Sequence, residues 1–92
     1  MKLYVLVRKD LGPIYGSVQG GHAIAQYMLE HGEWQNETLV YLGVKNEQHL
    51  KKWKYKLDKL NADYSYFIEP DIDDQLTSIA TCKNIFKSLN CL

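Results

Sequence analysis

The sequence predicts a single α/β domain whose elements run β-α-β-α-β-β. Strand-like apolar runs at residues 2–8 and 38–44 alternate with two segments carrying the three-and-four spacing of amphipathic helices. A chain of 92 residues is long enough for one modestly stabilised core. Apolar residues make up 46% and charged residues 24%, a globular rather than a disordered composition.

"KLYVLVR", residues 2–8, is apolar at nearly every position, which suits a central strand covered on both faces. "KDLGPIYG" then reads as a loop. Ser17 is the expected N-cap of a helix from Val18 to about Glu30, with Val18, Ala25, Met28 and Leu29 on one apolar face. "HGEWQNE" closes that helix and turns into a second strand, Thr38 to Val44. Asn46 is the expected cap of a second helix, with Leu50, Trp53, Leu57 and Leu60 inward and lysines outward. "ADYSYFIE", residues 62–69, alternates as a strand does. After the acidic loop "PDIDDQ", residues 76–82 form a last short strand, and "KNIFKSLNCL" is either a helical turn or a loose tail. Strands separated by helices imply parallel pairing through right-handed crossovers, with the last strand free to run antiparallel.

Formal net charge is zero, from 11 basic and 11 acidic residues, which argues mildly against a strong nucleic-acid binder. The charges are nevertheless segregated. Lys51, Lys52, Lys54, Lys56 and Lys59 crowd the second helix, while Glu69, Asp71, Asp73 and Asp74 crowd the loop that follows the third strand. No apolar run approaches the about 20 residues of a membrane span, and the N-terminus lacks a signal-peptide pattern. Cys82 and Cys91 form no disulfide framework, so a reduced, cytoplasmic protein without membrane contact is expected.

Residues 11–27, "LGPIYGSVQGGHAIAQY", hold four of the six glycines. A glycine loop before a helix N-terminus is a natural anion site, yet this one has neither a G-K-[ST] ending nor the G-x-G-x-x-G pattern. A structural turn accounts for Gly12 and Gly16. Gly20 and Gly21 sit inside the expected helix at a cost of about 1 kcal/mol each relative to alanine, which implies close packing by a strand, a subunit or a ligand. His22 is expected near the apolar stripe, as a buried, hydrogen-bonded side chain, whereas His31 and His49 look like surface residues. Neither the histidines nor the cysteines show metal-ligand spacing, so no zinc site is expected. The lysine helix reads as a solvated face or as a phosphate-attracting one. In "EPDIDDQLT", Asp71 and Asp73 are equal candidates for a carboxylate that activates or orients water, with Thr77 beside it; the simpler reading is a solvated loop.

In combination these motifs resemble the archaeal and eukaryotic type of peptidyl-tRNA hydrolase, including its shorter bacterial and phage relatives. "VRKDL" is similar to that family's V-R-x-D-L, "VQGGHA" to its A-Q-x-x-H-A on the first helix, and "DDQLTSIA" to its D-x-G-x-T-x-I-A near the last strands. The resemblance implies a four-stranded mixed sheet flanked by helices. It also implies metal-free cleavage of the ester between a peptide and the terminal ribose of tRNA, in translation, and often a homodimer. Carried over by position, it picks out Gln19, His22, Asp73 and Thr77 as catalytic and has Arg8 and Asp10 frame the pocket. Gly16 and Ser17 would lie at the mouth, the N–H groups of Gly16 to Val18 are the expected oxyanion donors, and Asp71 is the alternative equivalent of the family aspartate. Lys52 and Lys56 would meet the tRNA backbone. The chain departs from the pattern at "GPIYGS", which lacks the lysine of the family's G-K-G-K-type loop, and at "DDQ", which replaces D-x-G. Three functions follow as expectations: a peptidyl-tRNA ester hydrolase, a catalytically inactive binder of a small nucleotide or a tRNA end on the same fold, or an oligomerising partner module.

Overall fold

The computed structural model describes residues 1–32 and 38–92. The turn expected in "HGEWQNE" lies mostly outside the described residues. Strand β1 (Lys2–Arg8) runs into a single 3-10 turn at Lys9–Leu11 and then helix α1 (Pro13–Glu30). Strand β2 (Thr38–Val44), helix α2 (Glu47–Lys59), strand β3 (Tyr64–Glu69) and strand β4 (Gln75–Thr81) follow, with a second 3-10 turn at Pro70–Ile72. This is the expected β-α-β-α-β-β order.

The sheet order is β2-β1-β4-β3. Strand β1 pairs parallel with β2, and β4 runs antiparallel between β1 and β3. Because β1 is central, its two faces supply two cores. Leu3, Val5 and Val7 meet Ala23 and Tyr27 of α1, while Tyr4 and Leu6 join Leu50, Trp53 and Leu57 of α2. The helices therefore cover opposite faces, and the continuous apolar run of β1 follows from burial on both sides.

Helix α1 departs from its sequence-based reading in two ways. It begins five residues earlier, at Pro13, because Gly12 (φ +83°) turns the chain and proline at the first helical position needs no N–H partner. Ser17 is thus not the cap; it lies in the second turn, and its hydroxyl donates to the Pro13 carbonyl at 2.6 Å. The buried face is Gly16, Gln19, Gly20, Ala23 and Tyr27, not Val18, Ala25, Met28 and Leu29, which are exposed. Small residues win the inward face because α1 lies so close to the sheet. A Cβ on Gly20 would fall 2.7 Å from the Tyr41 ring and 2.9 Å from a Val7 methyl. Gly21 faces open space.

Helix α2 matches its reading more closely. The Asn46 side chain accepts from the His49 N–H at 3.0 Å, and Leu50, Trp53 and Leu57 are buried. Leu60 lies past the last turn and is 52% exposed. Residues 83–92 form neither a helix nor a loose tail. Phe86 enters the α2 core, and Asn90–Leu92 return along the free edge of β2 through Gly43 N to Asn90 O (3.1 Å) and Leu92 N to Tyr41 O (3.0 Å). Pairing this edge removes a row of open backbone donors.

Candidate functional site

Two polar clusters gather where β1 and β3 end, β4 begins and α1 starts. The first is built on Arg8, the last residue of β1. Its side chain is nearly fully buried, and its charge is met on every side. Nε and Nη2 donate to the two Asp10 carboxylate oxygens at 3.0 and 2.7 Å, and Nη1 donates to Gln75 Oε1 (2.9 Å) and to the Leu76 carbonyl (3.1 Å). A planar fork against a carboxylate is a strong, directional pairing. That hydrogen bond raises the Arg8 pKa and holds the Asp10 carboxyl below its ordinary value. Arg8 and Asp10 thus tie the end of β1 to the start of β4.

The second cluster crosses from α1 to the sheet. Gln19 is buried on α1 and donates from Nε2 to Glu69 Oε1 at 2.9 Å. Its Oε1 accepts from the Thr77 hydroxyl at 2.8 Å, and its backbone carbonyl accepts from Ser78 Oγ at 2.6 Å. The carboxylate can only accept, so it sets which end of the amide faces it. A β-bulge brings Thr77 to this point. Phe67 opposes Ser78 while Ile68 opposes Leu76, leaving Thr77 as an extra residue of β4 whose hydroxyl turns toward Gln19.

Glu69, at the end of β3, is the carboxylate at this site. It accepts from Gln19, lies 3.5 Å from the Tyr15 hydroxyl, and accepts weakly from the Asp71 N–H at 3.4 Å. The Gln19 hydrogen bond chiefly lowers its pKa, with the neighbouring His22 acting in the same direction. Burial, followed by the charges of Glu69 and Asp71, pushes the Tyr15 phenol up. His22 is exposed rather than buried, and its ring stacks on Phe67 with centroids 4.2 Å apart and planes within 10°. Glu69, His22 and Tyr15 therefore present an acceptor, an imidazole and a phenol on one surface above the buried Gln19–Thr77 pair.

Of the residues singled out from the sequence, Gln19 and Thr77 are in direct contact, and His22 lies beside them. Gly16 sits against the Arg8 carbonyl, with room for a Cβ only 3.3 Å from that oxygen. The N–H groups of Gly16 to Val18 face no oxyanion, because they belong to the helix; Gly16 N donates to Gly12 O at 2.9 Å. The first-turn donors are those of Ile14 and Tyr15. Asp73 and Asp71 are exposed, and Asp73 occupies the left-handed region with φ +59° at the end of the 3-10 turn. Neither carboxylate hydrogen-bonds to Gln19 or Thr77 among the described residues. Lys52 and Lys56 are exposed on α2, away from this network. The sequence pattern favours Asp71 and Asp73 over Glu69 because the acidic run after the strand is the more conspicuous feature. The signal for it was the alternation of β3, which places Ser65, Phe67 and Glu69 together on the α1 side.

The outer side of α2 carries a different surface. Tyr55 is 61% exposed with the Lys59 ammonium 5.4 Å from its ring centre, and Lys54 lies 5.1 Å from the exposed Tyr66 ring. Shallow hollows of roughly 300–500 Å³ run along this helix. Among the described residues, no helix is long and apolar enough to cross a membrane. No family model matches the chain, and no curated protein matches it in sequence.

Proposed function

We propose that the protein is a peptidyl-tRNA hydrolase-like esterase. The observation that carries this reading is the Thr77–Gln19–Glu69 hydrogen-bonded chain with His22 beside it. Side chains from α1, β3 and β4, up to 58 residues apart, converge there beside the Arg8–Asp10 pair. Hydrolysis of an ester needs a base for water and donors for the oxyanion. In this reading Glu69 takes the proton from the attacking water, and Gln19 holds Glu69 in place. His22 donates to the leaving ribose oxygen, and the N–H groups of Ile14 and Tyr15 face the carbonyl oxygen. The lysines of α2, with the exposed rings of Tyr55 and Tyr66 between them, meet the phosphates and unpaired bases of the tRNA.

A second reading, a catalytically inactive binder of a nucleotide or a tRNA end, draws on one specific observation. Glu69 is already engaged by Gln19 and held below its ordinary pKa, which weakens it as a base, and the stretch "GPIYGS" at the start of α1 has no lysine. The homodimer implied by the resemblance has a surface to use. Ile14, Val18, Met28 and Leu29 form an exposed, uncharged stripe on α1, a helix whose only charged residue is Glu30.

The test is hydrolysis of an N-blocked aminoacyl-tRNA by the wild type, Glu69→Gln, Asp71→Asn and Asp73→Asn. The expected result is turnover that Glu69→Gln lowers by about 10²–10⁴-fold while the aspartate variants retain it. Absence of turnover with enzyme equimolar to substrate would overturn the esterase reading and leave the binder. Sedimentation velocity on the same preparation reads the dimer.

A further inference from the structure

We propose that the groove between the end of β2 and the start of α2 binds a phosphate group through Lys9, Lys45, Lys52 and His49. The phosphate is that of a nucleotide or of a nucleic-acid backbone. The groove, about 330 Å³, is lined by Lys45, Asn46, Gln48, His49 and Lys52. Lys9 reaches this region from the end of β1, and the fold makes a place for it. Its aliphatic stem crosses Gly43, where a Cβ would fall 2.5 Å from Cε and 3.1 Å from Cγ. Any other residue at 43 would displace the lysine.

His49 lies at the centre of these charges. Its Nδ1 accepts from the Lys45 N–H at 3.0 Å, so the neutral ring carries its proton on Nε2, a donor that this contact leaves unused. Burial first, and then the charges of Lys45, Lys52, Lys56 and Lys9, hold its pKa below the ordinary value. Among the described residues, no carboxylate pairs with them. Glu47 accepts from the Leu76 N–H (2.8 Å) and lies 3.7 Å from Lys51, and Asp58 is shared by Lys54 and Tyr64. Among the described residues, Lys9, Lys45, Lys52 and Lys56 form no ion pair.

Cations brought together around an imidazole, with no acid of the described residues paired to them, repel one another until an external anion arrives. Several ammonium donors and one ring N–H suit a phosphate, which accepts from several directions at once. The groove also lies at the carboxyl ends of the parallel strands β1 and β2, the end where open α/β sheets bind ligands. The inference does not depend on whether an ester is cleaved.

The experiment is a ¹H–¹⁵N NMR titration of the whole chain with inorganic pyrophosphate and, separately, with deacylated tRNA. The proteins compared are the wild type, Lys45→Gln/Lys52→Gln, Lys45→Arg/Lys52→Arg and the control Lys87→Gln. Saturable shifts of the amides of residues 45–52 are expected, weakened at least about tenfold in the glutamine double variant and retained in the arginine one. For tRNA, the same glutamine variant lowers the salt dependence of log K by about 2, as two lost phosphate contacts require. Shifts with pyrophosphate alone support the proposal with a small nucleotide as the source; shifts with both probes support it with a nucleic-acid backbone. The absence of saturable shifts at residues 45–52 with both probes would overturn it, as would a glutamine double variant that binds like the wild type. Ester turnover is read separately, so loss of the esterase reading and loss of this one are distinct results.

Discussion

Thr77 shows how much one buried hydroxyl decides. It donates to Gln19 Oε1 at 2.8 Å and lies 3.3 Å from the Phe67 carbonyl, with its side chain fully buried. Valine has nearly the same shape but no donor. Thr77→Val therefore leaves the Gln19 oxygen unpaired in the interior, and the expected cost is about 1–3 kcal/mol. Thr77→Ser keeps the hydroxyl and loses one methyl, for a cost nearer 1 kcal/mol. Urea unfolding of the two variants measures the difference; a larger loss in Thr77→Ser than in Thr77→Val would mean that the methyl, not the hydrogen bond, matters. Arg8 shows the same economy with charge, because four of the five N–H donors of its buried fork reach acceptors on Asp10, Gln75 and Leu76.

Helix α1 is held to the sheet by what it lacks. Gly16 and Gly20 let its axis approach β1, while its larger apolar residues point outward; Leu29 is 82% exposed. The two adjacent glycines thus have opposite roles. Gly20→Ala pushes a methyl into Tyr41 and the stiff Val7 side chain, and overpacking of this kind costs about 1–3 kcal/mol. Gly21→Ala adds a methyl in open space and removes a helix penalty, so it stabilises by up to about 1 kcal/mol. Thermal or urea denaturation of the pair checks the signs, and destabilisation by both would mean that the outer face of α1 is covered in solution. On β3 and β4 the bulge at Thr77 has a comparable effect, turning side chains at 77 and 78 toward the same helix.

Across the whole molecule, polar side chains buried in the sheet are satisfied by neighbouring elements. Ser65 donates to Glu30, Ser78 to the Gln19 carbonyl and Thr81 to the Asp63 carbonyl. Three carboxyls take part in such links with lowered pKa values: Asp10 through Arg8, Glu30 through Ser65, and Glu69 through Gln19. Each binds its proton more weakly in the folded than in the unfolded chain. Their stabilisation is therefore complete above the unfolded values of about 4 and is lost as pH falls through the lower folded values. These three carboxyls leave the urea midpoint unchanged down to about pH 5 and lower it below about pH 4, while His49, whose pKa is depressed in the fold, adds a separate loss as pH falls through about 6.5. A midpoint flat to lower pH would show that these links contribute nothing. The sequence by itself determined the kinds of element, their order and the double burial of β1, because hydrophobic period and the Asn46 cap are local properties. It also marked Gln19, His22 and Thr77 through motif resemblance. Only the tertiary structure decided which face of α1 turns inward, that Glu69 rather than Asp71 or Asp73 meets Gln19, and that Lys9 lies across Gly43. Those outcomes depend on how closely two glycines let a helix approach the sheet and on a one-residue bulge between β3 and β4. Both are set by packing between segments far apart in the chain, which no local pattern records.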